Sequence, residues 1–114
     1  MRNRRNCGEE TALVRQILEY LSYRNIWAYR INTGGLLDKN GRLVRFGTPG
    51  HPDIVARLKP SSPEKGSGRV LWIEAKSKKG RLSPAQREWQ KKAEKHGDIF
   101  IVARKIEDVM EYLG

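Results

Sequence analysis

Two carboxylates and a lysine stand where an apolar strand turns polar: Asp53 in "GTPGHPD", and Glu74 and Lys76 in "WIEAK". The two-residue strand period turns Trp72, Glu74 and Lys76 to one face and Ile73 and Ala75 to the other. Read alone, Glu74 and Lys76 make a surface ion pair worth ~0–1 kcal/mol, and Asp53 after Pro52 closes an Asx-type turn. Read together, on adjacent strands joined by a loop, the carboxylates can share a hard divalent cation, Mg²⁺ or Mn²⁺. Such an ion takes a few carboxylate oxygens and fills its shell with water and phosphate. Lys76, ~6.6–6.8 Å beyond Glu74 along the same face, can then orient an attacking water and offset charge on a phosphate. A fourth polar residue, Gln86, lies in the first turn of the next helix.

The elements that must position these residues are legible. "EETALVRQILEYLSYR" places Leu13, Ile17, Leu18 and Leu21 at helical spacing and predicts a helix over 9–24. "NIWAYRIN" alternates and is rich in aromatic and branched residues, a strand over 26–32, with Trp27 and Tyr29 expected in the core. Asn40-Gly41 between two apolar-containing runs signals a hairpin. "PDIVARLK" and "RVLWIEAK" are strands joined by the Pro/Gly/Ser-rich loop "PSSPEKGSG". Ser83 as N-cap, Pro84 at the first helical position, Gln86 completing a capping box and Gly97 as the stop delimit the next helix. "DIFIVAR" is a short strand and "IEDVMEYL" a terminal helix. The order α-β-β-β-β-β-α-β-α describes an α/β fold with helices flanking a central mixed β-sheet. Residues 1–8 read as a flexible basic arm and 9–114 as a single domain.

Composition limits the partners. Lys and Arg exceed Asp and Glu 23 to 13, a net charge of +10, and a small domain this basic usually meets a polyanion. One cysteine, Cys7, excludes an internal disulfide and suits a reducing compartment. With His51 and His96 it is too small a set for a structural zinc site. No apolar run approaches the ~20 residues a membrane helix needs, and "MRNRRNC" lacks the apolar stretch of a signal peptide. A cytoplasmic, intracellular protein with no membrane contact is expected.

Taken in order, "GHPD" at 50–53, "IEAK" at 73–76, "GRLSPAQ" at 80–86 and a glutamate in the first helix (Glu10, or Glu9) resemble the stand-alone virus-type replication-repair nuclease (VRR-NUC) family. That family lies within the PD-(D/E)XK nuclease superfamily, and the resemblance runs from residue 9 to about 103. It implies a restriction-endonuclease-like core and hydrolysis of DNA phosphodiester bonds in replication, recombination or repair. It also implies roles. Asp53, Glu74 and the Ala75 carbonyl would hold Mg²⁺ or Mn²⁺, and Lys76 would be the catalytic lysine. Gln86 would position Lys76 or the phosphate, and the helix glutamate would reach the metal through water. Glu10 is favoured over Glu9 because Leu13 and Ile17 lie at +3 and +7 from it, on the face it borders. Lys78, Lys79, Arg81 and His51 would contact flanking phosphates. A homodimer acting on branched DNA, four-way (Holliday) junctions first, follows from the stand-alone members, with the aromatic strand or "IEDVMEYL" supplying the contact. Phage or prophage encoding is in keeping with the family. The rival reading is a non-catalytic basic nucleic-acid-binding module, in which the same residues form an ion network that needs no divalent cation.

Overall fold

The computed structural model describes residues 3–31, 34–46, 48–60 and 68–114. Nine elements follow the expected order: α1 (Asn3–Tyr23), β1 (Trp27–Arg30), β2 (Gly34–Leu37), β3 (Leu43–Phe46), β4 (Ile54–Leu58), β5 (Arg69–Ala75), α2 (Pro84–Lys95), β6 (Ile99–Ala103) and α3 (Ile106–Leu113). Most of the "PSSPEKGSG" loop lies outside the described residues.

The first helix begins at Asn3, so residues 3–8 carry helical backbone where a flexible arm was expected. Packing of Leu13, Val14, Ile17 and Leu21 bears the cost of nucleating the helix. Each residue added towards the N-terminus then gains a backbone hydrogen bond without a second nucleation, and no proline stops it. At its other end Asn25 takes a left-handed conformation (φ 58°). The Ile26 and Asn25 amides turn back to the Leu21 and Ser22 carbonyls at 2.9 and 3.0 Å, a Schellman closure with asparagine where glycine is usual.

The main sheet has the order β1-β4-β5-β6. β1 and β4, and β4 and β5, pair antiparallel, while β5 and β6 run parallel on either side of the α2 crossover, so the sheet is mixed. β2 and β3 form the expected hairpin, as a separate two-stranded sheet. β4 already has a neighbour on each side, and the hairpin satisfies its inner backbone groups through its own pairs, Gly34↔Phe46 to Leu37↔Leu43. Its turn holds Gly41 at φ 80°, and the Asp38 carboxylate accepts from the Asn40 and Arg42 amides at 2.8 and 2.9 Å.

One face of the sheet, with Ile54, Ala56, Leu71, Ile73, Ala75 and Ala103, packs against α1 and against Val109 of α3 to make the core. The other face carries Trp72 and Phe100, with Trp89 of α2 set 5.4 Å from Trp72. The alternation expected for β5 therefore holds, with Ile73 and Ala75 in the core and Trp72 and Glu74 on the α2 side. Trp27 and Tyr29 are not core residues; they are 66% and 50% exposed. β1 is an edge strand whose Ala28 turns to the core, and α2 packs over β6, leaving the outward face of β1 open.

Candidate active site at the end of β5

Asp53 lies in a bend just before β4, and its Oδ2 accepts the Ala75 amide at 2.8 Å. Continuing the β4–β5 register past Ile54↔Ile73 brings Pro52 level with Ala75. Proline has no N–H to offer the Ala75 carbonyl, so the ordinary ladder stops there and the Asp53 side chain takes up the amide. The Asp53 carbonyl is fastened to the end of β1 by the Ile31 amide at 2.8 Å. The turn that delivers Asp53 rests directly on α2: Gly50 has φ 81°, and a Cβ there would collide with the Ala85 carbonyl. Only glycine allows that approach.

Glu74 is 4% exposed. Its Oε2 accepts from Gln86 Nε2 at 3.0 Å and lies 3.7 Å from Lys76 Nζ, while its Oε1 has no hydrogen-bond partner. Gln86 also closes the capping box: its Oε1 accepts the Ser83 amide at 2.8 Å, and Ser83 Oγ accepts the Gln86 amide at 3.1 Å. One side chain thus serves the helix end and the carboxylate together. The Lys76 amide donates to the Ala103 carbonyl at 2.9 Å, carrying the β5–β6 ladder one residue further.

From α1, Glu10 Oε2 accepts the Ser77 amide at 3.0 Å, whereas Glu9 is exposed; of the two, Glu10 is the residue brought to the end of β5. The structure therefore gathers Asp53, Glu74, Lys76, Gln86 and Glu10 from four separate stretches of chain. The model of the VRR-NUC domain family matches residues 9–105 of the 114.

This chain belongs to the VRR-NUC domain family.

No curated protein and no solved structure gives a significant match. Membership of this nuclease family makes the expected α/β architecture that of a restriction-endonuclease-like VRR-NUC domain. It also points to a nuclease-type function with DNA as substrate. No helix among the described residues is long and apolar enough to cross a membrane.

Nuclease domains of this kind generally use divalent metal ions, and the residues of this VRR-NUC domain suit one. Burial, then the neighbouring Asp53 charge, pushes the Glu74 carboxyl up to about 8 against the opposing pull of Lys76. Burial also raises Asp53, opposed by the Ala75 N–H and reinforced by the Glu10 charge. Two crowded carboxylates with an unpartnered buried oxygen are what a divalent cation relieves. Among the described residues no group of three or more His, Cys, Asp or Glu side chains is gathered to hold a metal. Two carboxylates, Asp53 and Glu74, suit an ion that keeps water and phosphate in its shell.

Lys78, Lys79 and Arg81 are exposed around the turn after Lys76. What shapes that turn is a residue that no motif in the sequence marks. Arg104 Nη1 donates to the carbonyls of Ser77, Lys78 and Gly80 at 2.7, 3.3 and 2.6 Å. The signal for it is the parallel register: Ala75↔Ala103 puts residue 104 level with Lys76. His51 packs its ring 4.4 Å from Trp89 and 5.6 Å from Trp72, with Nδ1 2.9 Å from the Pro52 carbonyl. It props the turn that carries Asp53.

Proposed function

We propose that the chain is a metal-dependent, structure-selective DNA endonuclease that acts as a homodimer on branched DNA, with four-way junctions the first candidate. The observation that carries this is Glu74, buried with an unpartnered Oε1 between Asp53, Lys76 and Gln86. Asp53, Glu74 and the Ala75 carbonyl would hold Mg²⁺ or Mn²⁺. The cation, when bound, supplies an acidified water and positive charge at the scissile phosphate.

The remaining work falls to the chain. Gln86 and the Ala75 amide orient Glu74 and Asp53. Lys76 presents an ammonium that orients the attacking water and offsets charge building on the phosphate. Glu10 holds the backbone just past Lys76 through the Ser77 amide, while Lys78, Lys79 and Arg81 take flanking phosphates and His51, packed against Trp72 and Trp89, props the Asp53 turn. The described chain carries one such centre. Cutting two symmetry-related strands of a junction takes two, which a two-fold dimer supplies. Met110 and Tyr112 of α3, each 41% exposed, are apolar side chains open to that contact.

The test is a panel of flap, splayed-arm, nicked and four-way DNAs incubated with Mg²⁺, Mn²⁺ or chelator. Metal-dependent cutting that is abolished in Asp53→Asn and Glu74→Gln, with binding kept or tightened, is the expected result. Lys76→Ala should be inactive yet still bind the ion. Full cleavage by the two carboxylate variants, or binding with no metal-dependent cutting, would leave the basic binding module as the better reading. Sedimentation with and without junction DNA tests the dimer, and a strict monomer would remove the junction-resolving version.

A further inference from the structure

The outward face of β1 is aromatic and open. The rings of Trp27 and Tyr29 stand 6.3 Å apart at 42°, exposed on an edge strand that spends no core contact on them. Exposing a tryptophan to this extent forfeits the hydrophobic gain of burying it. Arg57, which pairs with Trp27 in the β1–β4 register, sets its guanidinium 5.8 Å over the indole. Beside them lies a groove of about 540 Å³ whose wall, among the described residues, includes Arg24, Trp27, Arg57 and Lys59 and no acidic side chain.

The direction of this surface matters. Strand alternation and the pairs Trp27↔Arg57 and Tyr29↔Val55 put both aromatic rings on the sheet face that carries Trp72 and Glu74. Tyr29 is level with Val55, two residues from Asp53, and Trp27 is level with Arg57, four residues from it. At ~3.4 Å per residue the track runs ~14 Å from the carboxylate end of the sheet to the cationic groove.

We propose that this face of β1 is a docking track for an unpaired DNA strand. Bases would stack on Tyr29 and Trp27, phosphates would meet Arg57, Arg24 and Lys59, and the strand would be led towards the Asp53–Glu74 centre. The track rests on the nuclease reading for its destination but not for its binding chemistry. Aromatic faces set among cations recognise exposed bases whatever their sequence. A duplex keeps its base faces stacked inside and cannot offer them, so the track selects an unpaired arm or a frayed branch point. A second copy of the chain is the poorer occupant: a two-fold contact here would set the Arg24, Arg57 and Lys59 patch against the same cationic patch, with no acidic side chain among the groove's described residues to pair it.

The experiment is fluorescence anisotropy with a labelled oligothymidylate and, separately, a blunt duplex, both in chelator so that cleavage plays no part. Trp27→Ala should weaken oligothymidylate binding by ~5–150-fold, the range for losing one stacked base, and change duplex binding by less than about twofold. Trp27→Phe should retain most of the affinity, and Arg57→Ala should lower the single-strand salt slope by ~0.7. Both aromatic residues are exposed, and a thermal melt of each variant checks the fold. Unchanged single-strand affinity in the Trp27→Ala/Tyr29→Ala double variant would overturn the track. So would a shift from dimer to monomer in that variant with single-strand binding intact, which would make the face a contact between copies. A wild-type protein that binds oligothymidylate through Trp27 but cuts no DNA would sustain the track while sinking the nuclease reading.

Discussion

Gln86 Nε2 lies 3.0 Å from Glu74 Oε2, while its other amide atom, Oε1, takes the Ser83 amide at 2.8 Å. The start of a helix and a buried carboxylate are thus tied through one side chain. Moving α2 by a fraction of an ångström moves the donor on Glu74.

Gln86→Ala removes both bonds and should cost about 1–2 kcal/mol of stability together with most of the activity. Gln86→Glu keeps an acceptor for the Ser83 amide but places another carboxylate against Glu74. Its stability loss should be smaller, and its cleavage profile should move to higher pH because Glu74 gives up its proton less readily. Urea melts and pH–rate profiles of the two variants check this. Identical pH profiles for wild type and Gln86→Glu would remove Gln86 from the electrostatics of the site.

The pH dependence of stability follows from Glu74. Its folded value of about 8 lies above the ordinary 4.5. Between these values the unfolded chain has released a proton that the folded chain still holds, so rising pH favours unfolding. In chelator, this contribution should be fully present below about pH 4.5 and be lost as pH climbs through about 8, with Mg²⁺ restoring stability at the alkaline end. Glu74→Gln should lack that portion of the slope. Thermal midpoints from pH 5 to pH 8.5, with and without Mg²⁺, decide it; matching slopes for variant and wild type would count against a proton held on Glu74.

Arg104 links the basic turn to the end of β6 through three carbonyls. Arg104→Ala should reduce amide-exchange protection at Gly80 and weaken DNA binding with little change in the salt slope, since no phosphate contact is deleted. Replacing Lys78, Lys79 and Arg81 together should lower the duplex slope by up to ~2.7, about 0.9 per phosphate contact. If Arg104→Ala changed the slope as an exposed lysine does, Arg104 would be a phosphate ligand and not a brace for the turn.

The features legible in the sequence are those set by near neighbours along the chain. The α2 capping box, the Asn40-Gly41 hairpin, the alternation along β5 and the span of α3 each depend on residues a few positions apart, and each stands where expected. That Asp53, Glu74 and Lys76 could meet at one end of the sheet was legible from their places on adjacent strands, whereas Gln86 read locally as a capping-box residue and was added to the set by the family resemblance.

What only the tertiary structure decided is which surfaces are covered and which amides find which side chains. Trp27 and Tyr29 have the alternation of a buried strand, but their exposure depends on β1 being at the edge and on α2 lying over β6. Helical spacing favoured Glu10 over Glu9, but which amide it meets, that of Ser77, came from the rotation of α1 against the end of β5. Arg104 follows no motif and acquires its role from the parallel pairing of β5 with β6. Burial and hydrogen bonding between distant segments depend on how the sheet orders itself, and strand periodicity carries no record of that order.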